Sequence, residues 1–142
     1  MTYHMSYTTE TMFTKRERII GAGRLTVLAD YLQSVKSSTF KMEDWVSVKV
    51  PVDNSLHLCK LLRSGAPGVT ACALGHAATL PTFRSKGLGI TLVDGGGLVK
   101  YSAANHTFIN CQAASQFFKL TTDEAAYIFD PQLYPIKKDD GL

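Results

Sequence analysis

Residues 64–81 read SGAPGVTACALGHAATLP, and the way this stretch folds decides what can surround it. A Gly/Pro loop, a Thr, a Cys and a His are compressed into one run closed by Pro81. Three readings are open: a reactive site, a ligand cradle, or a tightly packed core helix. The pattern predicts a helix that starts near Thr70 and ends near Thr79, because Pro81 disfavours helical backbone at Leu80. Cys72 and His76, four residues apart, then share a face. A thiol in the first turn feels the partial positive charge of the helix N-terminus, which lowers its pKa, and a histidine one turn later is placed to act as its base. Against that stand Ala71, Ala73, Leu74, Gly75, Ala77 and Ala78, a small-residue surface for close packing. This surround predicts a buried, inert Cys72 and a His76 that satisfies a core carbonyl.

The loop in front offers the ligand reading. GAPGVT (65–70) delivers two glycines into the expected helix start, where exposed N–H groups attract an anion. FRSKGLG (83–89) sets Arg84 and Lys86 on a Gly-bearing loop. If the two loops converge, Gly68, Thr70, His76, Arg84 and Lys86 line a site for phosphate or carboxylate. The alternative is an ordinary capped helix beside a solvated basic loop.

Moving toward the N-terminus, NSLHLCKLLRSG (54–65) reads as a short helix capped by Asn54 or Ser55 and stopped by Gly65. VSVKV (46–50) alternates with Val46, Val48 and Val50 on one face, a short strand that Pro51 ends or marks as an edge. Ser38 or Thr39 caps a short helical turn, with Phe40 and Trp45 as core anchors. In GRLTVLADYLQSV (23–35), Leu25, Leu28, Leu32 and Val35 recur on one helical face, leaving Arg24, Gln33 and Lys36 for the wet side. KRERII (15–20) either extends that helix or forms a preceding turn. Gly21 and Gly23 weaken a continuous helix there by roughly 1 kcal/mol each relative to Ala.

Toward the C-terminus, ITLVDGGGLVKYS (90–102) is a hairpin with its turn in DGGG. INCQAASQFF (109–118) reads as a helix with Ile109, Ala113, Ala114, Phe117 and Phe118 near one face. LTTDEAAYIFDP (120–131) carries a capping box, Thr121 with Glu124, a staple residue at Leu120 and a stop at Pro131. Residues 1–11 and 137–142 read as loose ends.

The chain of 142 residues is 45% hydrophobic and 19% charged, a composition for one globular domain. These elements predict a single α+β domain, mostly helical, with a small antiparallel hairpin or sheet. Cys59, Cys72 and Cys111 are widely spaced, which argues against a disulfide framework or a zinc site, and His4, His57 and His106 fit no metal spacing. Neither cofactor nor metal is expected. A net charge of +3 is too mild for a dedicated DNA-binding domain. No run is long enough to span a membrane, and the first twenty residues show no secretory pattern, so a cytoplasmic protein is expected. GAGRLTVLAD (21–30) has G-x-G spacing at Gly21 and Gly23, but Thr26 stands at the third glycine and no buried strand precedes it, so it is not read as a dinucleotide loop.

Three segments, LADYLQSV…STFKMEDWVS, GVTACALGHA and FFKLTTDEAAYIFDPQLYP, together resemble a family of small uncharacterised bacterial and phage proteins. Phe40, Met42 and Trp45 fit its first motif. Gly68, Cys72, Ala73, Gly75, His76 and Ala77 fit its Cys-Gly-Thr-x-x-Cys-Ala-x-Gly-Trp/His-Ala core. Leu120, Thr121, Glu124, Ala125, Phe129, Pro131 and Tyr134 fit its last. Pro67 stands where the family often has its first Cys, and Lys119 replaces its usual Gly. The resemblance implies a bacterial cytoplasm, a host's if the chain is phage-encoded, and it implies no reaction.

Three functions are weighed. The first is capture of a small anionic, nucleotide-like ligand through Gly68–Thr70 and the Arg84/Lys86 loop; in a phage this would sequester a host immune signal. The second is an interaction protein that inhibits or adapts a host protein. The third is a Cys72/His76 hydrolase or transferase, ranked last because no triad, metal set or carboxylate pair stands at diagnostic spacing. The partners expected are a small anion, a host protein or a second copy of the chain, and neither membrane nor DNA.

Overall fold

The structure, a computed structural model, describes residues 13–130. The loose ends expected at 1–11 and 137–142, and also Pro131 and Tyr134, lie outside the described residues. The fold is α+β, and the described residues form six α-helices around a five-stranded antiparallel sheet. Helices take 47% and strands 21% of these residues, so the sheet is a larger part of the fold than one hairpin.

Helix α1 runs from Lys15 to Leu32, so KRERII opens the helix rather than preceding it. Its start is fixed by a capping box: the Thr14 hydroxyl accepts from the Glu17 N–H, and the Glu17 carboxylate accepts from the Thr14 N–H. Gly21 and Gly23 both lie inside the helix. Leu28 is buried, and Leu25 and Leu32 pack on the core, but Val35 follows the helix end. Arg24 departs from the wet side: its guanidinium lies 4.2 Å over the Phe117 ring and donates to the Phe117 carbonyl at 2.7 Å.

A 3-10 turn (Ser37–Thr39) leads to strand β1 (Val46–Val48), which ends before Val50. β1 is not an edge, because it lies between β2 and β4. Helix α2 (Ser55–Ser64) starts at Asn54, whose side chain accepts from the His57 N–H, and ends at a left-handed Gly65. Strand β2 (Val69–Ala71), helix α3 (Ala73–Ala77) and helix α4 (Pro81–Arg84) follow.

Strands β3 (Leu88–Val93) and β4 (Gly96–Ala103) form the expected hairpin, with Val93 opposite Gly96 and only Asp94 and Gly95 in the loop. Gly95 has φ +74°, a conformation an L side chain resists. Strand β5 (His106–Ile109) pairs with the far end of β4, Ile109 opposite Lys100. Ile109 is therefore an exposed strand residue and not part of the next helix, α5, which begins at Cys111. Asn110 makes the corner at φ +51°: its N–H donates to the Val99 carbonyl and its side-chain oxygen accepts from the Val99 N–H. Helix α6 (Thr122–Phe129) begins at the Thr121/Glu124 box read from the sequence.

The inward row of the hairpin, Leu88, Ile90, Val99 and Tyr101, is buried, whereas Thr91, Lys100 and Ser102 are exposed. One face of the sheet thus carries the core and the other meets water. Tyr101 meets Phe117 edge-on at 5.3 Å, Phe117 meets Phe83 and Phe118, and Phe118 stacks on Phe129. This aromatic chain joins the sheet to α4, α5 and α6.

Candidate functional site

The opening stretch resolves into a strand and a short buried helix. Val69–Ala71 pairs antiparallel with Val46–Val48, with Thr70 opposite Ser47, so no helix begins at Thr70. The helix N-cap is Cys72, and its N–H donates to the Trp45 carbonyl. Gly68 closes the turn before β2, and its carbonyl accepts from the Lys49 N–H at 2.7 Å. The anion cradle expected at Gly68–Thr70 is therefore replaced by sheet pairing. The residue pattern explains why: Val69 and Ala71 point inward and Thr70 outward, and β-branched Val and Thr suit a pleated strand.

The small residues of α3 have a packing purpose. A Cβ on Gly75 would stand 2.4 Å from the Trp45 carbonyl oxygen and 2.6 Å from the Ala71 Cβ, so only glycine lets the helix lie this close to β1 and β2. Cys72 is fully buried. Loss of water pushes its thiol up to about 11, so it holds its proton at neutral pH. His76 is also sealed from solvent and stacks on Phe40. Its Nε2 lies 2.8 Å from the Thr39 carbonyl oxygen, an acceptor, so Nε2 carries the proton and donates. Burial pushes the imidazole pKa down, against a smaller upward pull from that hydrogen bond. The neutral ring leaves a buried Nδ1 without a partner. His76 thus meets a core carbonyl, as one sequence reading has it, and offers no surface to a ligand from solvent. The nitrogen free to act as a base, Nδ1, has no hydrogen-bond partner, so the Cys72 thiol does not bond to it and the two lack the contact of a nucleophile with its base.

Arg84 and Lys86 follow a different course from the convergence expected of them. Among the described residues no hydrogen bond or ion pair joins either to Gly68 or Thr70. Lys86 is exposed on the turn after α4. Arg84, half-buried, turns toward α2 and donates from its guanidinium to the Cys59 sulfur at 3.1 Å. Burial raises the Cys59 pKa, and the charges of Arg84 and Arg63 pull it partly back. Arg63 stands one turn after Cys59 on α2 and reaches over the Tyr31 ring at 5.5 Å. Two guanidinium groups therefore act on one protonated thiol, and no carboxylate forms an ion pair with either among the described residues. Sequence reasoning misses Arg63 and Cys59. The i, i+4 spacing of Cys59 and Arg63 is legible, but the approach of Arg84 from 25 residues away is not.

Among the described residues no group of three His, Cys, Asp or Glu side chains could hold a metal ion, and no helix is long and apolar enough to cross a membrane. No protein-family model, curated protein or solved structure matches the chain.

Proposed function

We propose that this protein captures a small oxyanion, nucleotide-like in class, with Arg84 as the clamp, Arg63 beside it and Lys86 at the rim. The observation that carries this reading is the state of Arg84. Among the described residues, its half-buried positive charge has a neutral thiol for a partner and no carboxylate. A partly desolvated guanidinium in that state gains from a bidentate oxyanion. Gly68, Thr70 and His76 have no part in this version of the site. The resemblance to bacterial and phage proteins makes sequestration of a signalling nucleotide the first case to test.

Calorimetric titration with inorganic phosphate, nucleoside monophosphates and cyclic dinucleotides tests it. One of these probes should bind, and Arg84→Ala should weaken that binding by about 1.5–3 kcal/mol, the scale of a charged hydrogen bond. Arg84→Lys should weaken it too, because an ammonium lacks the fork. Binding that survives both changes overturns the proposal. A second reading, a protein partner, is supported by Tyr127, 77% exposed on α6. Partner binding of that kind would survive Arg84→Ala and be lost with Tyr127→Ala.

A further inference from the structure

Helix α1 has an apolar row on the side away from the core. Ile19, Ile20 and Val27 are 66%, 46% and 47% exposed. Arg16, Gly23, Thr26 and Asp30 are exposed with them. At about 100° per residue, all seven fall within roughly 60° either side of Gly23. The row is symmetric about that glycine: Ile20 and Thr26 flank it at three residues, Ile19 and Val27 at four, Arg16 and Asp30 at seven.

This arrangement is self-complementary in one orientation only. A two-fold axis through Gly23, perpendicular to the helix, lays a second α1 antiparallel on the first. Ile19 then meets Thr26 of the second copy, Ile20 meets Val27, and Arg16 meets Asp30, each contact made twice. A parallel copy would set Arg16 against Arg16 and Asp30 against Asp30. A Cβ at Gly23 would meet nothing within 4 Å, so the backbone is open where the helices would cross. Arg16 and Asp30 make no ion pair among the described residues. Both also oppose the dipole of their own helix, a cation in its first turn and an anion near its last. Their placement does nothing for the isolated helix and suits a neighbour running the other way.

We propose that α1 is a homodimer interface on which a second copy of this chain docks antiparallel across Gly23. This is independent of the anion site. One helix face is smaller than the roughly 800 Å² per partner of a standard interface, so the dimer is weak and dissociates on dilution.

Sedimentation equilibrium of the full chain tests it through charge reversal. The wild type should show a concentration-dependent monomer–dimer equilibrium. Arg16→Asp sets a carboxylate against Asp30 twice per dimer, and Asp30→Arg sets a guanidinium against Arg16 twice, so each should raise the dimer Kd about tenfold or more. The double reversal should restore it. Thermal melts of dilute samples provide the control for folding: each single reversal complements the helix dipole, so the monomer should melt no lower than wild type. A wild type that stays monomeric at its highest soluble concentration overturns the proposal, including the case in which a different protein covers the face. So does a dimer indifferent to the single reversals, or one that the double reversal fails to restore.

Discussion

Gly21 and Gly23 stand two residues apart in α1 and face nearly opposite ways. A Cβ at Gly21 would lie 1.8 Å from the Phe118 carbonyl oxygen and 2.9 Å from the Lys119 Cβ, whereas one at Gly23 meets nothing within 4 Å. The first glycine is where the end of α5 rests on the helix. The second lies in the open row that we assign to a second copy. One residue type in one helix therefore answers to two constraints, and helix propensity, which penalises both alike, sees neither.

Substitution should separate the two faces sharply. Gly21→Ala must push α5 off α1 against backbone atoms, and should cost about 2–4 kcal/mol in urea denaturation. An unchanged midpoint would mean that Phe118 does not rest there. Next in size is Arg24, which holds the packed side from its flank, over the Phe117 ring and on the Phe117 carbonyl. Arg24→Ala should cost about 1.5–2 kcal/mol through the lost charged hydrogen bond and ring contact, and a surface-like loss of a few tenths would contradict that geometry.

On the open side the sign should reverse. Gly23→Ala, measured dilute enough to keep the protein monomeric, should stabilise by about 0.8–1 kcal/mol, since the helix gains propensity and no neighbour is displaced. Destabilisation there would show the face to be covered within the monomer.

The smallest effect concerns the clip that ties the first turn of α1 to α6. Arg18 grips both oxygens of Glu124, at 2.8 and 3.1 Å, and this holds the Glu124 carboxyl below the ordinary glutamate range. Because the folded pKa is depressed, the stabilisation is complete above the unfolded value and is lost as pH falls through the folded one. Both side chains are about 40% exposed, so Glu124→Gln should remove about 0.5–1 kcal/mol at neutral pH. At a pH below the folded value the variant and wild type should converge, and a gap that persists in acid would assign the effect to packing.

The same capping box is legible at Thr121 and easily passed over at Thr14. Thr14-Lys-Arg-Glu17 has the same Thr-x-x-Glu form, and the structure closes both boxes with the same pair of hydrogen bonds. The N-terminal one is obscured by the two glycines downstream, which make the helix look broken before its start is considered. Lys119 adopts the left-handed conformation at φ +58° that glycine would take without strain.

Sequence alone determined the features whose partners lie within a few residues. The α2 cap and its Gly65 stop, the Asp94–Gly95 turn, the Thr121 box and the burial of Cys72 among alanines all follow from local chemistry. Strand β2 was not legible, because the β preference of two residues, Val69 and Thr70, is too short a signal to stand out against the helix-like run that follows, and pairing with Val46–Val48 settled it. That choice moved the helix start to Ala73 and dissolved the expected cradle at Gly68–Thr70. Strand β5 was hidden in the same way, its four residues held by β4 and turned at Asn110. Arg84 meeting Cys59, Gly21 meeting Phe118 and His76 meeting Thr39 bring together residues from 25 to 97 positions apart. Which of them meet is decided by how the sheet and helices close on one another, because contacts so distant form only once the chain between them has been placed.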